Sequence, residues 1–178
     1  MFDTLAQLKQ QAGWRYSAIS TAIFGGLIPY LYLVVSGRLR KMYFKVFLFY
    51  IVLWAEKGVE VDLFYQLQSY IFGDGSDVQT VVKKVLFDQL IYSALWAAPG
   101  LAALYLWKDS GFKWSEFKVA LNKEFLYIKI PTIVASNWLV WFPAVAVIYS
   151  MPPLLQIPLF NLVLCFFVLL ITSLSAKE

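Results

Sequence analysis

From residue 17 to residue 36 the chain reads SAISTAIFGGLIPYLYLVVS, a run without a single charge. Coiled as an α-helix, such a run covers the ~30 Å of a bilayer's hydrocarbon core and closes its backbone hydrogen bonds within itself. Further apolar segments follow at 42–65, 81–107, 131–149 and 154–173. Composition agrees with the pattern: 61% of the 178 residues are hydrophobic and only 15% are charged, where a soluble domain carries roughly a quarter charged residues. One buried core at this length cannot absorb that excess. The expectation is an all-α membrane protein. It forms a single integral domain over 1–178, a bundle of four to five transmembrane helices with an amphipathic interfacial helix.

The segments differ in character. In the first, Gly25 and Gly26 leave space for a neighbouring backbone, and Pro29 bends the helix. The second is apolar from Tyr43 to Trp54 apart from Lys45, then brings in Glu56, Lys57, Glu60 and Asp62. A charge near the bilayer centre costs ~3 kcal/mol even on a lenient insertion scale. Either this helix faces a polar interior or its second half leaves the membrane. The third has Lys83, Lys84, Asp88 and Gln89 in its first turns and a kink signal at Pro99-Gly100.

Between the third and fourth segments, Trp114, Phe117, Leu121 and Phe125 recur at helical spacing among charged residues. This predicts an amphipathic helix over 113–127, lying in the interface or serving as a short soluble connector. Pro131 suits the first position of the fourth span, and Met151-Pro152-Pro153 separates it from the fifth.

Charge placement gives an orientation. With five spans, Arg38, Arg40, Lys41 and Lys45 share one side with Lys108, Lys113, Lys118, Lys123, Lys129 and Lys177. The other side has Lys9, Arg15, Lys83 and Lys84. The richer side is expected to face the cytoplasm or an organelle's matrix. The net charge of +4 then points to anionic lipid rather than nucleic acid. Residues 1–16 show no basic stretch followed by a small-residue cleavage site, so no removable signal is expected; Asp3 also argues against an organelle-targeting helix.

The chain has no histidine, and its one cysteine, Cys165, lies in an apolar run. The commonest general base and metal ligand is therefore missing, and no intrachain disulfide is expected. No Gly-rich phosphate loop and no paired carboxylates in a soluble cleft occur. The expectation is a protein without catalytic residues, metal or cofactor, save bound anionic lipid of the cardiolipin kind.

The polar residues within the apolar segments are the candidates for function. Glu56 and Glu60 stand four apart, on one helix face, with Lys57 beside them and Asp62 beyond. They line a polar path that selects cations, or they form an internally paired cluster. Lys84 and Asp88 are likewise four apart, with Asp88 read as lying near a helix N-terminus, where the helix dipole favours a carboxylate. Asn137 suits hydrogen bonding across helices; Trp138 and Trp141 suit a stacking platform or, equally, packing and interfacial anchoring. Lys113, Lys118 and Lys123 suit lipid headgroups.

In order along the second half come Lys83-Lys84-Val85-Leu86-Phe87-Asp88-Gln89, the amphipathic WSEFKVALNKEF, Asn137-Trp138-Leu139-Val140-Trp141-Phe142-Pro143, a proline turn at Pro152, and Asn161-Leu162-Val163. Their order and spacing resemble the Mpv-seventeen/peroxisomal membrane protein family over 83–175, and faintly over 58–65. The resemblance implies about four spans plus amphipathic helices in a mitochondrial inner, peroxisomal or related membrane. It implies no enzyme, and a channel-like pore for small solutes. The chain departs from the family at Asp62, where a histidine is usual, at Val59 in place of proline, and at Ala146, Val147 and Ile148 in place of polar residues. Two functions remain open: such a pore, or a non-conducting accessory subunit of a larger energy-transducing membrane complex. The partners expected are membrane lipids and either further copies of the chain or other transmembrane subunits.

Overall fold

The computed structural model describes residues 2–38 and 43–174. Arg40, Lys41, Met42 and Lys177 lie outside them. Seven helices make up the described chain: α1 (Phe2–Ala12), α2 (Trp14–Val35), α3 (Phe44–Phe72), α4 (Val78–Asp109), α5 (Trp114–Ala120), α6 (Phe125–Tyr149) and α7 (Pro153–Leu174). Four of them, α2, α4, α6 and α7, are long and apolar enough to cross a membrane. The expected second span is one unbroken helix of 29 residues, about 43 Å long at 1.5 Å per residue. Its central Glu56, Lys57, Glu60 and Asp62 keep it out of that apolar set.

Two compact units divide the chain, 1–80 with 148–178, and 81–147. In the first, α1, α2, α3 and α7 pack together. Gly13 adopts φ +56° and breaks the helix between α1 and α2, a conformation that glycine reaches without a Cβ clash. Two further glycines set the helix spacing. A Cβ on Gly58 of α3 would lie 2.3 Å from the Ser17 carbonyl oxygen of α2, and one on Gly26 of α2 would lie 2.9 Å from the Tyr50 carbonyl oxygen of α3. Backbones therefore meet directly, as small residues allow in apolar surroundings. The core around this contact holds Tyr30, Tyr50, Leu53, Trp54, Val61, Tyr65, Ile157 and Leu164.

The second unit contains most of α4, α5 and α6. Three stretches of wide π-type turn, Ala22–Leu27, Asp88–Ala97 and Phe125–Lys129, each stop two residues before a proline: Pro29, Pro99 and Pro131. Proline has no N–H to give to the preceding turn, and its ring crowds the carbonyl four residues back. Widening the turn relieves the crowding without breaking the helix. The kinks expected at Pro29 and Pro99 are thus met by widened turns.

Pro131 does not start the fourth span, because α6 begins at Phe125 and runs through it. The cause is Asn122, whose side-chain oxygen accepts the Phe125 N–H at 2.9 Å and caps the new helix. The same cap splits the expected 113–127 helix: α5 ends at Ala120, and the remainder belongs to α6. At the start of α4, Asp77 caps through the Thr80 N–H at 3.0 Å. Asp88 lies ten residues beyond that start, so the N-terminal capping expected of Asp88 falls to Asp77 instead.

Candidate functional site

A charged helix centre inside an apolar unit needs a partner for every buried polar group. Asp62 on α3 is 2% exposed and Lys9 on α1 is 8% exposed. Their side chains meet at 2.5 Å. The Lys9 ammonium also donates to the Ser17 hydroxyl at 3.0 Å and the Gly13 carbonyl at 3.3 Å, so each of its three protons has an acceptor. The Ser17 hydroxyl donates to the same Asp62 oxygen at 2.8 Å, and the Gln66 amide reaches the other at 3.2 Å. Serine beside lysine has the composition of a nucleophile and its base. Here the ammonium is committed to a carboxylate and Ser17 is fully buried, so the pair serves to join α1, α2 and α3.

A second cluster joins α2 to α7. The Thr21 hydroxyl donates to the Asn161 side-chain oxygen at 2.8 Å, and the Asn161 amide donates to Ser20 at 2.8 Å. Ser20 in turn donates to the Tyr16 carbonyl at 2.6 Å. All three side chains are buried. A third contact runs from the Gln68 amide to the Tyr149 hydroxyl, while the Gln68 side-chain oxygen is buried without a partner among the described residues.

Lys57 pairs with Glu60 at 2.5 Å, three residues along the same helix. Glu56 is exposed. Within the expected group, Glu56 and Glu60 share a side-chain hydrogen bond beside Lys57, while Asp62 pairs with Lys9. Asp62 and Lys57 turn inward, Glu60 sits at the edge, and Glu56 turns outward.

In the second unit the candidates of α4 and α6 do come together. The Asn137 amide donates to the Ser93 hydroxyl at 3.0 Å, and the Trp138 indole donates to the Gln89 carbonyl at 2.9 Å. Both acceptors lie in the widened Asp88–Ala97 turn, where a proline two residues on has disturbed the backbone ladder. Trp138 packs edge-on against Phe142, and Trp141 is buried. The Gln89 amide donates to Asp88 at 2.8 Å, and its own oxygen is buried without a partner among the described residues. Lys84 is 1% exposed.

Lys113, Lys118 and Lys123 are exposed. The Lys118 ammonium lies 5.5 Å from the centre of the Trp114 ring, within cation–π range, and Trp114 stacks on Phe117. Their neighbours Lys108 and Lys129 are occupied by Asp109 at 2.6 Å and Glu124 at 3.8 Å.

The chain matches no protein-family model, no curated protein and no solved structure. The site is therefore read from its own geometry. Sequence reasoning missed Lys9, Ser17, Ser20, Thr21 and Gln68 as polar partners. The available signal was the run of small hydroxyl residues at one end of α2, together with Gly58, which marks a close helix contact.

Proposed function

We propose that the chain is a non-enzymatic, multi-pass membrane protein that serves as a non-conducting accessory subunit of a larger membrane complex. The observation that carries this reading is the pairing of the charges in the middle of α3. Asp62 with Lys9 and Glu60 with Lys57 form tight pairs, and hydrogen bonds among Ser20, Thr21 and Asn161 tie helices to one another. Groups matched in this way hold helices together and offer a passing ion no open ligand. The chain also has no histidine to move protons. The resemblance noted from sequence supports a mitochondrial inner membrane, or a peroxisomal or related one, as its location. Solubilised from its native membrane in mild detergent, the protein is expected to migrate with an assembly several times its own mass. Migration as a lone 20.4 kDa chain in its detergent micelle would sink the proposal.

A channel-like pore for small solutes is the second reading. It is supported by the unpartnered amide oxygen of Gln89, which suits a polar solute with a hydrogen to donate. Purified protein reconstituted in planar bilayers should then conduct, and a Gln89→Leu variant should lower the conductance. A silent wild-type bilayer removes this reading.

A further inference from the structure

The Lys9 ammonium is enclosed by oxygen. An Asp62 carboxylate oxygen lies at 2.5 Å, the Ser17 hydroxyl at 3.0 Å and the Gly13 carbonyl at 3.3 Å. A carboxylate, a hydroxyl and a backbone carbonyl together suit a hard cation. An ammonium head and an alkali ion compete for such a set, because each is a compact positive charge that draws oxygen atoms around it. The set is held together without help from Lys9. Ser17 donates to the same Asp62 oxygen at 2.8 Å, and the Gln66 amide holds the other at 3.2 Å.

Charge selects the class of ion. Asp62 supplies one negative charge, so a monovalent ion restores the neutrality that Lys9 gives. A divalent ion would leave a positive charge over in an apolar unit. Among the described residues, no three His, Cys, Asp or Glu side chains gather to hold a metal ion, the kind of gathering that tight divalent sites use.

The tether is light. Among the described side chains of α1, Lys9 alone is buried; Leu5 and Ala6 are half-buried, and the rest are exposed. Behind Lys9 the helix breaks at Gly13, where a Cβ would meet nothing within 4 Å. Gln66 is exposed and Gly13 half-buried, so the site lies at the edge of the unit and opens once Lys9 leaves. The other pair differs: Lys57 and Glu60 sit three apart on one helix, and no movement of an element parts them.

We infer that Asp62, Ser17 and the Gly13 carbonyl form a monovalent-cation site, filled by the Lys9 ammonium while α1 is docked and by an alkali ion such as potassium or sodium when α1 lifts. Helix α1 is thus a tethered cation, and free cations compete with it for Asp62. The site lies within one chain and does not depend on the accessory-subunit reading.

The test uses the purified full chain in a mild neutral detergent, in potassium, sodium, ammonium or choline chloride at equal ionic strength. Choline screens charge as the others do but is too bulky for the site. In Lys9→Met the Asp62 carboxylate loses its partner, and potassium or sodium should raise the unfolding midpoint by about 5 °C over choline. Wild type should show no such difference, since Lys9 already fills the site, and adding Asp62→Asn to Lys9→Met should abolish it. Lys9→Gln, measured alongside, keeps the comparison available if the methionine variant does not accumulate. In wild type, trypsin cuts after the buried Lys9 only when α1 has lifted. That cut, normalised to the one after exposed Lys113, should be about threefold faster in potassium than in choline. Midpoints of the Lys9 variants that are equal in all four salts, or a cation response that survives Asp62→Asn, would overturn the inference. So would a response to ammonium alone, or equal cutting after Lys9 in potassium and choline.

Discussion

Replacing Asp62 by Asn keeps the shape of the side chain and leaves the Lys9 ammonium facing a neutral amide in a closed site. Breaking a buried pair from one side costs about 3–5 kcal/mol, whereas replacing both partners with apolar residues is often close to neutral. Asp62→Asn should therefore lower the thermal unfolding midpoint in detergent sharply, and Lys9→Met with Asp62→Leu should recover most of the loss. Equal midpoints for wild type and Asp62→Asn would mean that the pair does not hold α1 in place. Asp62 was legible in the sequence as a charge in an apolar helix, but Lys9 was not. Periodicity tells which face a residue takes; it does not name a partner 53 residues away. Asp77 offers a pH-dependent counterpart outside the spans. Hydrogen bonds from the Thr80 hydroxyl and amide hold its carboxyl below the ordinary carboxylate range. Its folded value lies under an unfolded value of about 3.9, so the cap stabilises fully above that and is lost as pH falls through the folded value. The protection factor of the Thr80 amide, its exchange rate corrected for the intrinsic rate at each pH, should fall only in acid. A protection factor that is flat down to pH 2 would exclude the cap.

Among the elements, α3 was the hardest to read from sequence, because hydropathy counts charges and does not register that Lys57 cancels Glu60 and that Lys9 of α1 cancels Asp62. Its one unbroken course, and its close approach to α2 through Gly58, come from packing. A Gly58→Ala change would place a methyl 2.3 Å from the Ser17 carbonyl oxygen, and overpacking of that kind costs roughly 1–3 kcal/mol. It should lower the unfolding midpoint, while Gly100→Ala, with open space around it, should leave the midpoint the same or raise it. Similar losses at both positions would mean that close backbone contact does not set the helix spacing. The four apolar spans were visible as long, mostly apolar runs, with ends shifted by a few residues. The start of α6 was misjudged because proline at a first helical position competes with asparagine at a cap, and Asn122 won. On and beside α5, the exposed Lys113, Lys118 and Lys123 are suited to anionic headgroups, at about 1 kcal/mol each near a charged surface. Changing all three to Gln should reduce the acidic lipid, cardiolipin included, that co-purifies with the protein. Unchanged lipid content would assign α5 to a connector in water.

At the scale of the whole molecule, the central question is whether α3 crosses the membrane along with the four apolar helices. Length permits it, and the pairs Lys57–Glu60 and Lys9–Asp62 neutralise three of its four central charges. The ends of the helix differ in sign: Arg38 and Lys45 flank its start, while Asp74 and Asp77 follow its finish. A basic flank is retained on the cytoplasmic or matrix side during insertion, whereas acidic residues have little influence. Crossing would put Lys45 and Asp74 in different compartments. Single cysteines at these two exposed positions, in a Cys165→Ser background, should react with a membrane-impermeant maleimide from opposite faces of sealed vesicles. Lys45→Cys should label from the cytoplasmic or matrix face. Labelling of both from one face would mean that α3, being unbroken, lies along the membrane surface or outside it and does not cross. Glu56 would then lie nearer to water.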